Sequence, residues 1–150
     1  MREIQLVNQI NDQSCVHACI SMVTGKPIEE YWERYPKALS ADEELILLIE
    51  SKIFPVPVHL HTLNYMPFYG CYFITVPSLN CQGLNHRLLV QATTQDDWIF
   101  YDPQTGREGK QWYSKDGFSP FDEIPDEGKR IKGYGGVSFL NFEVLRDLRI

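Results

Sequence analysis

Three helices are predicted before the first strand, and this order limits the folds that the chain can adopt. The polar segment 9–14 cannot start a core, but the run from Val16 to Val23 is apolar and stops at Thr24-Gly25. These features predict a buried helix whose first turn carries Cys15. A chain that begins in this way needs a later sheet against which the helix can be buried.

Two more helices and five strands complete the predicted order. Pro27 opens a short helix that stops at Pro36, and Ser40 with Glu43 forms a capping box at the start of the third helix. Strands are predicted at Val56–Leu60, Tyr69–Val76, Arg87–Ala92, Trp98–Tyr101 and Gly136–Phe142. Helices first and antiparallel strands second predict an α+β fold, with the Cys15 helix packed on the sheet.

Composition favours one domain and excludes some partners. With 150 residues, of which 43% are hydrophobic, we expect a single domain spanning 1–150. The formal charge of −6 argues against nucleic-acid binding, which needs clustered Lys and Arg. No apolar stretch is long enough to span a membrane, and the N-terminus does not resemble a secretion signal. We therefore expect a cytoplasmic location; the oligomeric state stays open.

The predicted position of Cys15 favours a reactive thiol. A helix N-terminus presents unpaired N–H groups and a partial positive charge, both of which favour a thiolate. The side-chain amide of Gln9 is a candidate donor to a developing oxyanion, together with the N–H of Cys15. Gln13 is a nearer alternative to Gln9.

A predicted hairpin supplies a base and a group to orient it. His86 opens one strand, Asp102 follows the next, and the short segment 94–97 joins the two strands. The beginning of the first strand of a hairpin lies beside the end of the second, so His86 and Asp102 are expected to meet. An Asp bonded to one ring nitrogen would leave the other nitrogen facing Cys15.

These residues resemble the papain-like cysteine peptidases, and most closely the stand-alone relatives of the bacteriocin-leader, or double-glycine, peptidases. The resemblance rests on Gln9, Cys15 and Cys19 in one window, and on His86 followed sixteen residues later by Asp102-Pro103 in another. It implies a hydrolase that cleaves a peptide or amide bond with the catalytic residues Cys15, His86, Asp102 and Gln9. A peptide or protein substrate is implied. No metal or organic cofactor is implied.

Several alternatives remain open from the sequence. The same catalytic residues serve transglutaminase-like acyltransferases and glutamine deamidases of the superfamily. Relatives usually have Gly after the nucleophile, whereas this chain has Val16, which suggests an inactive peptide-binding or protein-binding module as another alternative. Each residue also has an ordinary role: a Cys in an apolar helix is usually a core residue, and Asp-Pro is a common turn.

The other cysteines and histidines are assigned structural roles. Cys15, His17 and Cys19 are closely spaced and His59 and His61 follow, but the paired CxxC motifs of structural zinc sites are missing. We therefore expect no metal site. Cys71 is predicted to be a buried strand residue and Cys81 a loop thiol, with no disulfide in a reducing compartment. The long connection between Gly106 and Gly135 is typical of a functional loop.

Overall fold

The computed structural model describes residues 3–58, 68–81, 83–93, 98–109, 113–114, 117–118 and 136–142. In these ranges the helices precede the strands, and the predicted α+β class is confirmed. The helices are α1 (Cys15–Thr24), α2 (Ile28–Arg34) and α3 (Ala41–Glu50).

Helix boundaries follow the predicted signals. Gly25 ends α1 in a left-handed conformation with φ of 81°, and its N–H donates to the Ser21 carbonyl at 2.8 Å. The capping box at α3 is present: the Ser40 hydroxyl accepts from the Glu43 N–H at 3.2 Å, and the Glu43 carboxylate accepts from the Ser40 N–H at 3.0 Å. The local sequence therefore determines where α1 ends and where α3 begins.

The strands of the described residues are β1 (Phe54–Pro57), β2 (Gly70–Pro77), β3 (Asn85–Ala92), β4 (Trp98–Tyr101), β5 (Tyr113–Ser114), β6 (Gly117–Phe118) and β7 (Gly136–Asn141). Five of them form the main antiparallel sheet, in the order β1-β7-β2-β3-β4. A separate two-stranded sheet pairs β5 with β6.

Some strand limits differ from the prediction for reasons of pairing. β3 begins at Asn85 because its first residue pairs with Pro77 at the end of β2. β1 lies earlier than the predicted Val56–Leu60 and includes Pro55, which an edge strand tolerates although proline has no N–H. β4 matches its predicted limits, and its pairing with β3 confirms the expected strand pair.

Apolar side chains cover both faces of the sheet. One cluster joins the helices to the sheet and includes Ile20 of α1, Leu47 of α3 and Leu89 of β3. The other cluster, which includes Leu88 and Val90, lies on the opposite face because side chains alternate along a strand. Burial of Ile20 and its neighbours fixes α1 on the sheet, next to β3.

Parts of several sequence predictions fall outside the described residues. The turn 94–97, the pair His59 and His61, and most of the connection between Gly106 and Gly135 are among them. Across the described ranges, no helix has the length and apolar character needed to cross a membrane.

Candidate active site

Cys15 is the first residue of α1, and no side chain of the described residues caps the backbone N–H groups of the first turn. Ser14 is the N-cap residue, but its hydroxyl accepts from the N–H groups of Ile10 at 2.8 Å and Asn11 at 3.0 Å instead of capping the helix. The serine thus folds the preceding loop back onto the helix start. The N–H groups of the first turn remain available to an anion near Cys15.

Asp102 holds one nitrogen of the His86 ring. His86 Nε2 lies 2.6 Å from Asp102 Oδ1, and the Gln104 N–H donates to the same oxygen at 2.9 Å. The Asp102 carboxylate is completely buried, with 0% exposure. The pairing of Leu89 with Tyr101 brings the start of β3 alongside the residue that follows β4. The expected meeting of His86 and Asp102 is therefore present.

Cys15 interacts with His86, and each group changes the pKa of the other. Burial raises the pKa of the Cys15 thiol, but the hydrogen bond and charge of His86, with smaller contributions from the Arg87 N–H and charge, lower it overall. Burial lowers the pKa of His86, yet hydrogen bonds to Asp102 and Cys15 raise it to about 9. Both shifts favour a thiolate paired with an imidazolium.

The end of β4 leaves the edge of β3 open to α1. β4 pairs with β3 only between Leu89 and Ala92, so Arg87 lies beyond it. The carbonyl of Arg87 accepts instead from the Cys19 Sγ of α1 at 3.7 Å. The start of α1 therefore lies beside β3. At this edge the hydrogen bond and charge of His86 act on the pKa of the Cys15 thiol, although the His86 side chain alternates onto the face opposite the helices.

Gln9 lies in the same region, but part of its amide has another role. Gln9 is buried, and its backbone N–H donates to the Pro103 carbonyl at 3.0 Å. Its Nε2 donates to the Asn11 carbonyl at 2.8 Å, which uses one of two amide hydrogens. Donation to an oxyanion by the second hydrogen stays a prediction. Gln13 is exposed, and its backbone N–H donates to Asn11 Oδ1 at 2.9 Å.

A small cavity of about 30 Å³ adjoins the ring of His86. Its lining is mostly polar: Gln9, Asp12, Ser78, Asn80, Asn85 and Gln104, with Cys81 and the exposed Leu84. Amide and hydroxyl groups of this kind can hydrogen-bond to water. The volume has room for water molecules but not for a peptide, and Cys15 is absent from the lining.

Val16 packs away from this cavity. Its side chain is partly buried against the apolar cluster between the helices and the sheet. Val16 is absent from the lining of the cavity beside His86. Val16, which suggested an inactive module in the sequence, therefore contributes to packing.

The remaining histidine and cysteines of the helices and strands are buried. His17 donates from Nε2 to the Tyr35 carbonyl at 2.8 Å, and its ring contacts Trp32 edge-on. Burial raises the pKa of Cys19 well above its usual value and that of Cys71 to about 12. Within the described ranges no three His, Cys, Asp or Glu side chains are grouped to hold a metal ion.

Arg87 and Glu44 adjoin the site and were missed by the sequence analysis. The Arg87 guanidinium forms an ion pair with both carboxylate oxygens of Glu44 in α3. Forty-three positions separate the two residues. The only feature of the sequence that could have indicated a role for Arg87 is its position next to His86.

Comparison with known proteins supports the fold. No family model matches the chain, and no curated protein matches its sequence. Among solved structures, the chain is similar to the peptidase domain of Streptococcus ComA, a bifunctional ABC transporter involved in a quorum-sensing pathway. The TM-score is 0.59 at 14% sequence identity, and the match covers 92% of this chain and 98% of that domain. The three helices and the five-stranded sheet thus share the fold of that peptidase domain.

Proposed function

We propose that the chain is a cysteine peptidase or amidohydrolase of the papain-like type, with residues 1–150 forming one catalytic domain. The observation that carries the proposal is the 2.6 Å hydrogen bond between His86 and the buried Asp102, beside a Cys15 whose pKa His86 lowers. A thiol nucleophile needs a base within reach, and the base needs a third group that orients it. The similarity to a peptidase domain supports the same conclusion at the level of the fold.

The mechanism begins with the thiolate of Cys15. Its sulfur attacks the carbonyl carbon of a peptide or amide bond, and the oxygen becomes an oxyanion that the Cys15 N–H and Gln9 stabilise. The imidazolium of His86 then gives its proton to the departing nitrogen as the C–N bond breaks. A thioester to Cys15 remains. Asp102 keeps the imidazole oriented throughout.

Hydrolysis of the thioester completes the cycle. His86 takes a proton from water, the resulting hydroxide attacks the thioester carbonyl, and the carbon–sulfur bond breaks to regenerate the thiolate. An acyltransferase would use an amine in place of water. A glutamine deamidase would release ammonia in the first step. A peptide or protein substrate is the partner that we propose, on the similarity of the fold to a peptidase domain.

Incubation with a peptide mixture tests this function. The wild-type protein should produce new peptide termini and a covalent Cys15 adduct that mass spectrometry detects under acid quench. Cys15→Ala should abolish both. Cys71→Ala is the matched control, because Cys71 is buried in β2 and does not line the cavity beside His86, and it should retain both.

Product masses separate the alternatives. Cleaved peptides indicate hydrolysis, whereas a mass gain of an added amine or the conversion of glutamine to glutamate indicates transfer or deamidation. If the peptides stay unchanged and bind equally to the wild-type protein and to Cys15→Ala, the result would support a binding module and contradict the proposed enzyme.

A further inference from the structure

Arg87 occupies a junction between the site and α3. Its carbonyl accepts from Cys19 Sγ at 3.7 Å, and its backbone N–H is one of the groups that lower the pKa of the Cys15 thiol. Arg87 also follows His86 directly in β3. A single peptide segment therefore holds a cysteine of α1, carries the base and acts on the nucleophile.

The side chain of Arg87 is held from three sides. Both terminal nitrogens bind Glu44, and the contact of Nη2 with Oε2 measures 3.3 Å. Arg87 Nε donates to Thr75 Oγ1 at 3.2 Å, and the guanidinium lies 5.4 Å from the centre of the Phe73 ring. The Arg87 and Glu44 side chains are only 17% and 16% exposed, so this two-point contact is largely shielded from water.

We propose that the Glu44–Arg87 ion pair is a positioning device, which holds the β3 backbone at Arg87 against α1 so that Cys15 stays within reach of His86. This inference rests on the proposed function, because it assigns a role within the same site. Glu44 lies in α3 and acts on the position of Cys15 only through its ion pair with Arg87. Planar guanidinium–carboxylate pairing fixes orientation as well as distance, which a single point charge does not.

Loss of the Glu44 charge and loss of its positioning role predict opposite changes in the reactivity of Cys15. A negative charge near the site disfavours a thiolate, so an effect of charge alone would make Cys15 more reactive in Glu44→Ala. Loss of positioning would make Cys15 less reactive, because its contacts with the Arg87 N–H and His86 would loosen. Alanine also suits a helix, so α3 should be retained.

The experiment compares the pH dependence of Cys15 alkylation by iodoacetamide in folded variants. At about pH 6 we expect Glu44→Ala to react on the order of tenfold more slowly than the wild type, with its reactivity profile displaced to higher pH. Glu50→Ala is the matched control, since Glu50 is also in α3 and pairs with Arg34 through both oxygens, at 2.6 and 2.8 Å. It should leave the profile unchanged.

A second variant covers a possible failure of Glu44→Ala to fold. Arg87→Lys keeps the positive charge but cannot form the planar two-point contact, and it should also slow alkylation by about tenfold. Alkylation of either folded variant at the wild-type rate or faster would overturn the positioning role. If Cys15 of the wild type itself lacks enhanced reactivity at low pH, the proposed function fails instead, so the two failures are distinguishable.

Discussion

Replacing Asp102 by Asn tests how the buried carboxylate acts on His86. The His86 Nε2 and the Gln104 N–H both bind Oδ1, at 2.6 and 2.9 Å, and an asparagine oxygen can accept both. The substitution therefore removes the negative charge while it keeps these two contacts. A reduced His86 pKa should result, since the hydrogen bond to Asp102 is the largest of the effects that raise it.

The magnitude follows from the strength of a charged hydrogen bond. Bonds to ionised groups contribute roughly 1.5–3 kcal/mol and neutral ones about 1 kcal/mol, so about 0.5–2 kcal/mol of preference for the imidazolium should be lost. This corresponds to a fall of about one unit in the His86 pKa. The Asp102→Asn protein should keep the proposed activity at a lower rate, because an amide oxygen still orients the ring.

Nuclear magnetic resonance of the histidine rings measures the shift. The titration is done in a Cys15→Ala background, where the thiol no longer contributes to the His86 pKa. Asp12→Asn is the matched control, because the Asp12 side chain is 74% exposed and water screens its charge. An unchanged His86 pKa in the Asp102→Asn protein would refute the claim that Asp102 stabilises the imidazolium.

Three further outcomes are expected. Iodoacetamide at about pH 6 should label Cys15 but leave Cys19 and Cys71 unmodified, because burial raises the pKa of both thiols; equal labelling in the folded protein would contradict the thiolate assignment. Gln9→Ala should slow turnover by roughly a hundredfold or more if the amide donates to the oxyanion, and an unchanged rate would remove it from the mechanism. In the Cys15→Ala background the hydrogen bond and charge of Asp102 should still raise the pKa of His86, so its stabilisation should be complete below about pH 6.5 and lost as pH rises through the folded pKa. Chemical denaturation should show that loss, and His86→Ala should remove it.

Elements specified by nearby residues were predicted well. The capping box of Ser40 and Glu43 satisfies N–H groups within one helical turn, so sequence spacing alone located the start of α3. The limits of β4 and its pairing with β3 could be predicted because only a short segment joins these strands. His86 and Asp102 meet as a consequence of that pairing.

Long-range contacts were beyond the reach of the sequence. The insertion of β7 between β1 and β2 joins strands that are distant in the chain, and no local pattern encodes it. The pairing of Arg87 with Glu44 also depends on how α3 packs on the sheet. The contact of the Gln9 amide with Asn11 depends on the path of a loop that Ser14 folds back.

The ionisation of Cys15 tests the central claim most directly. Thiolate absorbance in the ultraviolet, recorded against pH for the wild type and Cys15→Ala, isolates the contribution of this residue. We predict one thiolate that persists well below pH 9.0, the ordinary pKa of a cysteine thiol, and that requires His86. Two titrations that differ only near pH 9.0, as they would if Cys15 ionised like an ordinary thiol, would contradict the account.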